Sequence, residues 1–250
     1  MKYIIFDLDD TLLDKQSQVT PYTLSVLKKL QGMGHKTVIN TARSKNYAQE
    51  FFDILKPDYA IYNGGAHIVD AQERTIFKAE ISNEETLAIV KELLAVTQNF
   101  SVQAEDALYS HKGLYTGQKC KAFDYEQDVF PYPALKIVAG VDDDEAALAI
   151  AQKHDLAFTT YLSGNFRRYN RKGVDKAAGN RELMELVGGS LSDVLAFGDD
   201  LGDVEMLREA GVGVLMKNAR EELHQSGLHL SAYTNQEDGV ARFLVEYFGL

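Results

Sequence analysis

The first apolar run of the chain is followed by two aspartates at a spacing that suits phosphoryl transfer. Residues 3–6 are typical of a short buried strand, and Asp7 and Asp9 come directly after them. On a strand two such residues share a face, but past its end the second can turn towards a different partner. Asp7 could therefore attack phosphorus, while Asp9 could give a proton to the departing alcohol and later accept one from water.

The side chains that could complete such a site follow other predicted elements. The Thr41 hydroxyl and the Ala42 amide could bind phosphate oxygens, and Lys176 could supply a positive charge. Asp199 and Asp203 contribute two further carboxylates after another apolar run. Ligands of open parallel sheets bind outside the carboxyl ends of the strands, so we expect these residues to meet there if their strands are neighbours.

A divalent metal ion is predicted from the carboxylates. Four of them in one crevice would raise one another's pKa values unless a cation lies among them. Carboxylate oxygens suit a hard ion, and Mg²⁺ accepts one or two carboxylates together with waters and substrate phosphate. The predicted cofactor is therefore Mg²⁺, and the candidate metal ligands are Asp7, Asp9, Asp199 and Asp203.

Alternating strand and helix patterns must position these residues. They predict an α/β core with a doubly wound, parallel, Rossmann-like sheet, since right-handed strand–helix–strand crossovers would connect its segments. From about residue 79 the pattern changes to shorter, polar and aromatic-rich segments, and it returns before Lys176. We predict a catalytic core of residues 1–78 and 167–250 and an inserted α+β cap domain of residues 79–166.

The predicted elements can be given by number. Core strands are expected at 3–6, 36–40, 59–62, 193–197, 212–215 and 228–233, and strands of the insertion at 135–140, 157–162 and 165–169. Helices are expected from 21, over 44–55, over 83–96, from 142, over 176–187, from 219 and at the end of the chain.

Composition restricts the possible partners. The 250 residues carry a formal net charge of -11, which repels phosphate backbones, so we expect a small-molecule phosphate ester as the partner and no nucleic acid. Cys120 is the only cysteine, which excludes a disulfide within the chain. No apolar stretch approaches the length of a membrane span, and we expect a cytoplasmic protein with no membrane partner. The sequence does not indicate the oligomeric state.

The motifs resemble a known family. Asp7-Leu8-Asp9-Asp10-Thr11 matches the DxDxT signature of the haloacid dehalogenase superfamily of phosphatases, and Thr41, Lys176 and residues 198–203 resemble its second, third and fourth motifs. The resemblance covers both core segments and is weak across the insertion. Further segments are similar to the Cof-type branch, whose members mostly hydrolyse sugar phosphates and other small phosphate esters: 63–65, 171–176, 216–219, 234–235 and 238–241.

The resemblance implies roles for particular residues. Mg²⁺ would be held by Asp7, the backbone carbonyl of Asp9 and Asp199, and Asp203 would orient a metal-bound water or Lys176. The chain departs from the family pattern twice: Ala42 replaces a glycine, and Gly202 stands where many relatives have asparagine. We expect Asp200 to compensate in part for the second change.

Other polar residues are candidates for substrate binding, together with the Ala42 amide. Arg43 at a helix start opposes the helix dipole, which suggests either an anionic partner or a surface salt bridge. Asn63 and Asn218 could contact substrate or serve as turn residues. Arg167 and Arg168 alternate in face, so at most one is expected to reach substrate.

The sequence is compatible with two positions for the aromatic residues of the insertion. Tyr109, Tyr115 and Phe123 could pack its interior or line its inner face.

The predicted function is hydrolysis of a small phosphomonoester, preferably a sugar phosphate, through an aspartyl-phosphate. A phosphomutase is an alternative, but such members of the superfamily carry their cap between the first two motifs, and the 34 residues from Asp7 to Thr41 leave no room for one. A phosphate-binding signalling protein such as a receiver domain uses similar residues in about half this length, without an insertion. A catalytically inactive sugar-phosphate sensor is a third alternative.

Overall fold

Two β-sheets organise the described part of the chain. The computed structural model describes residues 1–112, 120–160 and 165–250, so Tyr115 and the end of the strand predicted over 157–162 lie outside the described residues. The chain divides into two compact units, which we call the core unit and the inserted unit. The core unit consists of Met1–Arg43, Ala48–Phe77 and Asp175–Leu250, and the inserted unit consists of Ser44–Tyr47 and Lys78–Val174.

The strands and helices are numbered in chain order. The strands are β1 (Tyr3–Phe6), β2 (Lys36–Asn40), β3 (Tyr59–Tyr62), β4 (His67–Asp70), β5 (Thr75–Lys78), β6 (Phe100–Gln103), β7 (Leu108–His111), β8 (Cys120–Phe123), β9 (Lys136–Gly140), β10 (Leu156–Thr160), β11 (Phe166–Arg171), β12 (Val194–Gly198), β13 (Val212–Leu215) and β14 (His229–Leu230). The helices are α1 (Pro21–Gly32), α2 (Lys45–Leu55), α3 (Asn83–Val96), α4 (Asp144–Lys153), α5 (Lys176–Leu186), α6 (Val204–Glu209), α7 (Glu221–His224) and α8 (Gly239–Phe248).

The sheet of the core unit has the strand order β14-β13-β12-β1-β2-β3-β4-β5. β1 is parallel to β12 on one side and to β2 on the other. β3, β13 and β14 extend the parallel pairing outwards, and β4 turns back antiparallel to β3. Because the chain runs outwards from β1 in both directions, the point between β1 and β12 is a topological switch point. The predicted doubly wound α/β fold is confirmed.

Burial on both faces explains why β1 is a continuous apolar run. Ile4 and Phe6 belong to a core cluster that includes Leu30 of α1 and Leu244 of α8. Ile5 belongs to a second cluster, with residues of α5 and α6. A parallel sheet covered by helices on both faces favours apolar residues on both sides of its strands.

Two features of this sheet differ from the predicted elements. The last strand, β14, is confined to His229–Leu230, shorter than the predicted 228–233. The sequence pattern also does not predict the β4–β5 hairpin, because polar residues interrupt its apolar pattern. One of them, His67, is fully buried, and its Nε2 lies 2.9 Å from Thr75 Oγ1 on the neighbouring strand.

Within its described residues, the inserted unit has a six-stranded sheet in the order β10-β11-β9-β6-β7-β8. Its pairs are antiparallel except β7 with β8, which are parallel. One face of the sheet packs with residues of α3 and α4 in a separate apolar cluster that includes Phe100, Ile137 and Tyr169. The arrangement is α+β, with its own core.

The domain boundary predicted between residues 166 and 167 needs correction. It would cut β11, whose residues pair with both β9 and β10. The inserted unit therefore continues to Val174. The Arg171 side chain donates to the Glu85 carboxylate and to the Glu80 carbonyl (Nε–O 3.0 Å), which joins the two ends of the insertion. This ion pair, with the Ser82 hydroxyl, lowers the pKa of Glu85 to about 2.

A close backbone approach in the core unit fixes the start of α5. Gly65 follows β3 with φ +105°, and a Cβ built there would lie 2.1 Å from the carbonyl oxygen of Asp175. Asp175 is the N-cap of α5, and its carboxylate accepts a hydrogen bond from the Ala178 N–H at 2.7 Å. Only glycine satisfies both the conformation and the contact, so the loop after β3 seats the helix that begins at Lys176.

We expect Gly65→Ala to lower the free energy of unfolding by about 3 kcal/mol or more, because it combines backbone strain with a backbone clash. Gly188→Ala is the matched control, since Gly188 has φ +63° but nothing within 4 Å of a built Cβ. Its strain alone should cost about 1–2 kcal/mol. Urea unfolding followed by circular dichroism measures both, and equal losses would contradict the seating role of Gly65.

Candidate active site

Adjacent strands bring the two acidic motifs together. Asp7 follows β1 and Asp199 follows β12, and these strands are parallel neighbours in the centre of the sheet. The pairing continues past the strand end, where the Asp7 N–H donates to the Phe197 carbonyl at 3.1 Å. Residues from opposite halves of the chain thus meet at the carboxyl edge of the sheet, at the switch point.

Three of the four predicted carboxylates form one cluster. Asp7, Asp199 and Asp203 each offer an oxygen, and these oxygens lie within 4.8 Å of one another. Burial raises the pKa of Asp7 to about 7, and burial also raises that of Asp199 to about 7. The neighbouring Asp203 carboxylate contributes to both increases, while Lys176 opposes the increase for Asp7 and the Thr11 hydroxyl opposes that for Asp199. Oxygen donors that carry excess negative charge in a buried site fit Mg²⁺, which would relieve that charge.

Asp203 is a fully buried connector of this cluster. Its Oδ2 accepts hydrogen bonds from the N–H groups of Asp199 (3.1 Å) and Asp200 (3.2 Å). Its Oδ1 accepts from Lys176 Nζ at 2.5 Å. A Cβ at Gly198 would lie 2.4 Å from the Asp203 Cβ, so glycine is required there. Asp203 therefore holds both the loop after β12 and the Lys176 side chain.

Lys176 supplies a buried positive charge beside Asp7. Its Nζ lies 2.9 Å from Asp7 Oδ1, and its carbonyl accepts from Asn40 Nδ2 at 2.9 Å. Burial acts to lower the pKa of Lys176, but Asp203 and Asp7 outweigh it and raise that pKa above the ordinary value. The ammonium therefore stays protonated.

Thr41 lies at the end of β2, fully buried. Its carbonyl accepts from the Gly64 N–H at 2.9 Å, and its hydroxyl oxygen accepts from the Arg43 N–H at 3.1 Å. The hydroxyl proton remains available for a phosphate oxygen. Ala42, which follows, is exposed.

The carboxylate of Asp9 is held by Arg43. Arg43 Nε lies 2.9 Å from Asp9 Oδ2, and Nη2 lies 2.6 Å from Oδ1, which makes the pair bidentate. The guanidinium also lies 5.0 Å from the ring centroid of Phe51. The carboxylate predicted as a fourth member of the metal cluster is thus paired with a cation. The sequence offered both readings of Arg43, and the structure contains the ion pair.

The two candidate asparagines differ. Asn63 is buried in a left-handed conformation (φ 55°), and within the described part of the chain neither of its amide atoms has a hydrogen-bond partner. A buried amide without partners can accommodate a ligand. Asn218 donates from Nδ2 to the Asp10 carbonyl (2.7 Å) and accepts at Oδ1 from the Asn235 N–H (2.9 Å). Both of these amide contacts are internal, which agrees with the interpretation of Asn218 as a turn residue.

The contacts of two neighbouring residues, Thr11 and Gly202, became known only from the structure. Thr11 Oγ1 donates to Asp199 Oδ1 at 2.6 Å, and the motif contained this threonine without revealing its partner. Gly202 has nothing within 4 Å of a built Cβ, so sterics do not require glycine there. The Asp200 carboxylate, expected to compensate for Gly202, lies 3.4 Å from Arg220 instead. A cavity of about 580 Å³ opens beside Asp199.

Comparisons with known proteins identify the family of the chain. The model of the haloacid dehalogenase-like hydrolase family matches residues 4–244. The chain is 29% identical to the 5-amino-6-(5-phospho-D-ribitylamino)uracil phosphatase YitU of Bacillus subtilis, over 99% of this chain and 97% of that protein. It is 24% identical to YcsE, a second B. subtilis phosphatase named for the same compound, over 97% of this chain and 94% of that protein.

Solved structures share the fold. A haloacid dehalogenase-like hydrolase from Bacteroides thetaiotaomicron superposes with a TM-score of 0.84 at 20% identity, covering 99% of both chains. The subclass IIB sugar phosphatase BT4131 superposes with a TM-score of 0.79 at 22% identity, covering 100% of this chain and 99% of that one.

The chain therefore belongs to the haloacid dehalogenase-like hydrolase family, which confirms the resemblance carried by the motifs. Within that family the enzyme is a phosphatase, as predicted. Among the residues that the structure describes, no helix is both long and apolar enough to cross a membrane.

Metal binding to this cluster should depend on pH. The carboxyl pKa values of Asp7 and Asp199 are raised from 3.8 to about 7, so the metal-free fold gains stability from bound protons and loses it as the pH rises through that range. Mg²⁺ must displace those protons, and its affinity should fall about tenfold per pH unit below 7 for each proton displaced. Thermal melts should show a larger stabilisation by Mg²⁺ at about pH 8 than at about pH 6.

Asp199→Asn should remove most of this stabilisation, whereas Asp193→Asn, a change at a half-exposed carboxylate, should leave it intact. An equal effect of Mg²⁺ at both pH values would show that the buried carboxylates do not bind the ion.

Proposed function

We propose that this phosphatase hydrolyses a small phosphorylated metabolite with Mg²⁺, passing the phosphoryl group to Asp7 and then to water. The observation that carries the proposal is the buried Asp7 carboxylate, which lies 2.9 Å from Lys176 and within the cluster formed with Asp199 and Asp203. The site thus combines a nucleophile, a fixed positive charge and a set of oxygen donors for a divalent ion.

In the first half-reaction an Asp7 oxygen forms a bond to phosphorus while the bond from phosphorus to the ester oxygen breaks. Lys176 fixes Asp7 Oδ1 and supplies charge for the transferring group, and the Thr41 hydroxyl donates to a phosphate oxygen. The partnerless amide of Asn63 is a further candidate donor. Mg²⁺ held by Asp7, Asp199 and the Asp9 carbonyl would reduce the repulsion between carboxylate and phosphate.

Asp9 is the proposed acid and base. As an acid it gives its proton to the departing oxygen, and as a carboxylate it then takes a proton from the water that attacks the phosphoryl group on Asp7. That attack breaks the bond to Asp7 and releases inorganic phosphate. Both oxygens of the Asp9 carboxylate accept hydrogen bonds from Arg43, so Asp9 must leave this partner to reach a departing oxygen.

The proposed substrate is a phosphate ester of a polyhydroxylated metabolite, such as a sugar phosphate. Two relatives, YitU and YcsE, are named as phosphatases of a phosphoribitylamino compound, and the structural neighbour BT4131 is named as a sugar phosphatase, which supports this class. The cytoplasmic location and the lack of a nucleic-acid partner stay predictions from the sequence.

Asp7→Asn should lower the hydrolysis of p-nitrophenyl phosphate with Mg²⁺ by about a thousandfold or more, because it removes the nucleophile. Asp53→Asn, at an exposed carboxylate on α2, is the control and should leave activity unchanged. Phosphate release is measured, with circular dichroism to confirm folding. Full activity in Asp7→Asn would exclude the aspartyl-phosphate route.

Asp9→Asn should lower kcat/KM far more for an alkyl ester such as glucose 6-phosphate than for p-nitrophenyl phosphate, since nitrophenolate leaves without a proton. The loss for the alkyl ester should be about 10²–10⁴-fold. Mg²⁺ binding should persist, because the carbonyl of residue 9 is unchanged. Equal losses for both esters, or lost metal affinity, would contradict the assignment, and Asp10→Asn provides the neighbouring control.

A further inference from the structure

One face of the inserted unit's sheet carries positive charge. Residues alternate in face along each strand, and Phe100, Ile137 and Tyr169 point into the apolar cluster formed with α3 and α4. The opposite face therefore carries the residues that alternate with these along each strand, including Ser101, Lys136 and Arg168. This face of the sheet is called the cationic face below.

The structure separates the two adjacent arginines of β11. Arg167 lies on the helical side, where its Nε donates to Asp144 Oδ1 at 2.7 Å. Arg168 lies on the cationic face, paired in register with Val138 of β9 and Thr159 of β10. The prediction that they point to opposite faces is confirmed by this pairing, and Arg167 already has an internal anionic partner.

Lys136 and Arg168 are diagonal neighbours on the cationic face. Arg168 is opposite Val138, and Lys136 precedes Val138 by two residues on the same strand. In antiparallel sheets such diagonal positions are roughly 7–8 Å apart, within reach of long side chains. The two cations can therefore contact the same small group from two strands.

Two polar groups of this face, those of Arg168 and Asn170, are incompletely satisfied. Within the described residues, Arg168 Nε is buried and has no hydrogen-bond acceptor. Asn170 Oδ1 is also buried and has no donor. Burial, with the charge of Arg168, lowers the pKa of Lys136 to about 7. Buried donors of a cation without an acceptor are rare in folded proteins, because they forfeit hydration without compensation.

Charge complementarity indicates what could pair with Arg168 Nε. Among the described strand positions of the cationic face no residue is acidic, although the chain has a net charge of -11. The cross-strand neighbours of the two cations are neutral, namely Gln103, Val138 and Thr159. A guanidinium and an ammonium on one neutral surface match a carboxylate or a phosphate group.

We propose that Arg168 and Lys136 bind a small organic anion on the cationic face. Two cations suit one carboxylate or phosphate group, and the half-buried setting suits a metabolite. The anionic group could belong to the substrate of this phosphatase or to a separate metabolite. The first source would make both residues specificity determinants and rests on the proposed function, whereas the second does not.

Calorimetric titration of the EDTA-treated full chain with malonate, and separately with inorganic phosphate, tests the binding. We expect wild type to bind at least one probe, and Arg168→Met and Lys136→Met to weaken it roughly tenfold or more, the loss expected for one charge-assisted hydrogen bond. Arg168→Lys should retain part of the affinity. Lys153→Met, at an exposed lysine of the same unit, should bind as wild type does.

The proposal fails if wild type binds neither probe, if Arg168→Met and Lys136→Met bind as tightly as wild type, or if Lys153→Met loses the same affinity. Thermal melts confirm that the variants fold. None of these results depends on turnover, so they leave the Asp7 mechanism to its own test.

Inhibition of p-nitrophenyl phosphate hydrolysis distinguishes the two sources. Glucose 6-phosphate and 6-phosphogluconate share a phosphate and a polyol chain, but only the second has a carboxylate. If the anion is part of the substrate, wild type should prefer 6-phosphogluconate, and Arg168→Met should reduce that preference roughly tenfold. If the anion is a separate metabolite, wild type and Arg168→Met should show the same preference between the two inhibitors. The binding of malonate or phosphate should still be weaker in Arg168→Met.

Discussion

The ion network of Lys176, Asp7 and Asp203 is the interaction on which the core unit's site depends. Its three charged groups are almost fully buried, and the ammonium lies 2.9 Å from Asp7 and 2.5 Å from Asp203. Desolvation offsets much of the attraction in such a network, so its main contribution is position rather than stability. Removing one partner would leave an uncompensated buried charge, at a cost of about 3–5 kcal/mol. The network also ties α5 to the loop after β12.

Close backbone packing makes that network possible. Gly198 leaves room for the Asp203 side chain, and Gly65 allows the loop after β3 to touch the carbonyl before α5. Each glycine lies where a Cβ would collide with a residue adjoining or forming the network. The inserted unit carries the opposite charge on one surface. Arg168 and Lys136 lie on the cationic face, where none of the described strand residues is a carboxylate. The negative charge clustered at the core unit's site suits a cation, and the positive charge on the cationic face of the inserted unit suits an anion.

The sequence predicted most residues of the site but fewer of the hydrogen bonds and ion pairs between them. Asp7, Asp199 and Asp203 were found from acidic residues after apolar runs, and the parallel sheet brings them together as adjacent strands require. The ion pair of Asp9 with Arg43 was one of two readings, because a residue past a strand end has no fixed direction. The domain boundary was misplaced, since an alternating strand such as β11 looks the same in either unit.

The sequence by itself determined which groups are present, the alternation of strands and helices, and therefore the family and the fold. These follow from local periodicity and from residue types, which are written in the order of the chain. Only the tertiary structure decided which polar atoms are paired: Asn218 is bound by Asp10 and Asn235, while Asn63 and Arg168 Nε have no partner among the described residues. Pairing and burial depend on distances between residues remote in sequence, and both determine whether a polar group is structural or available to a ligand.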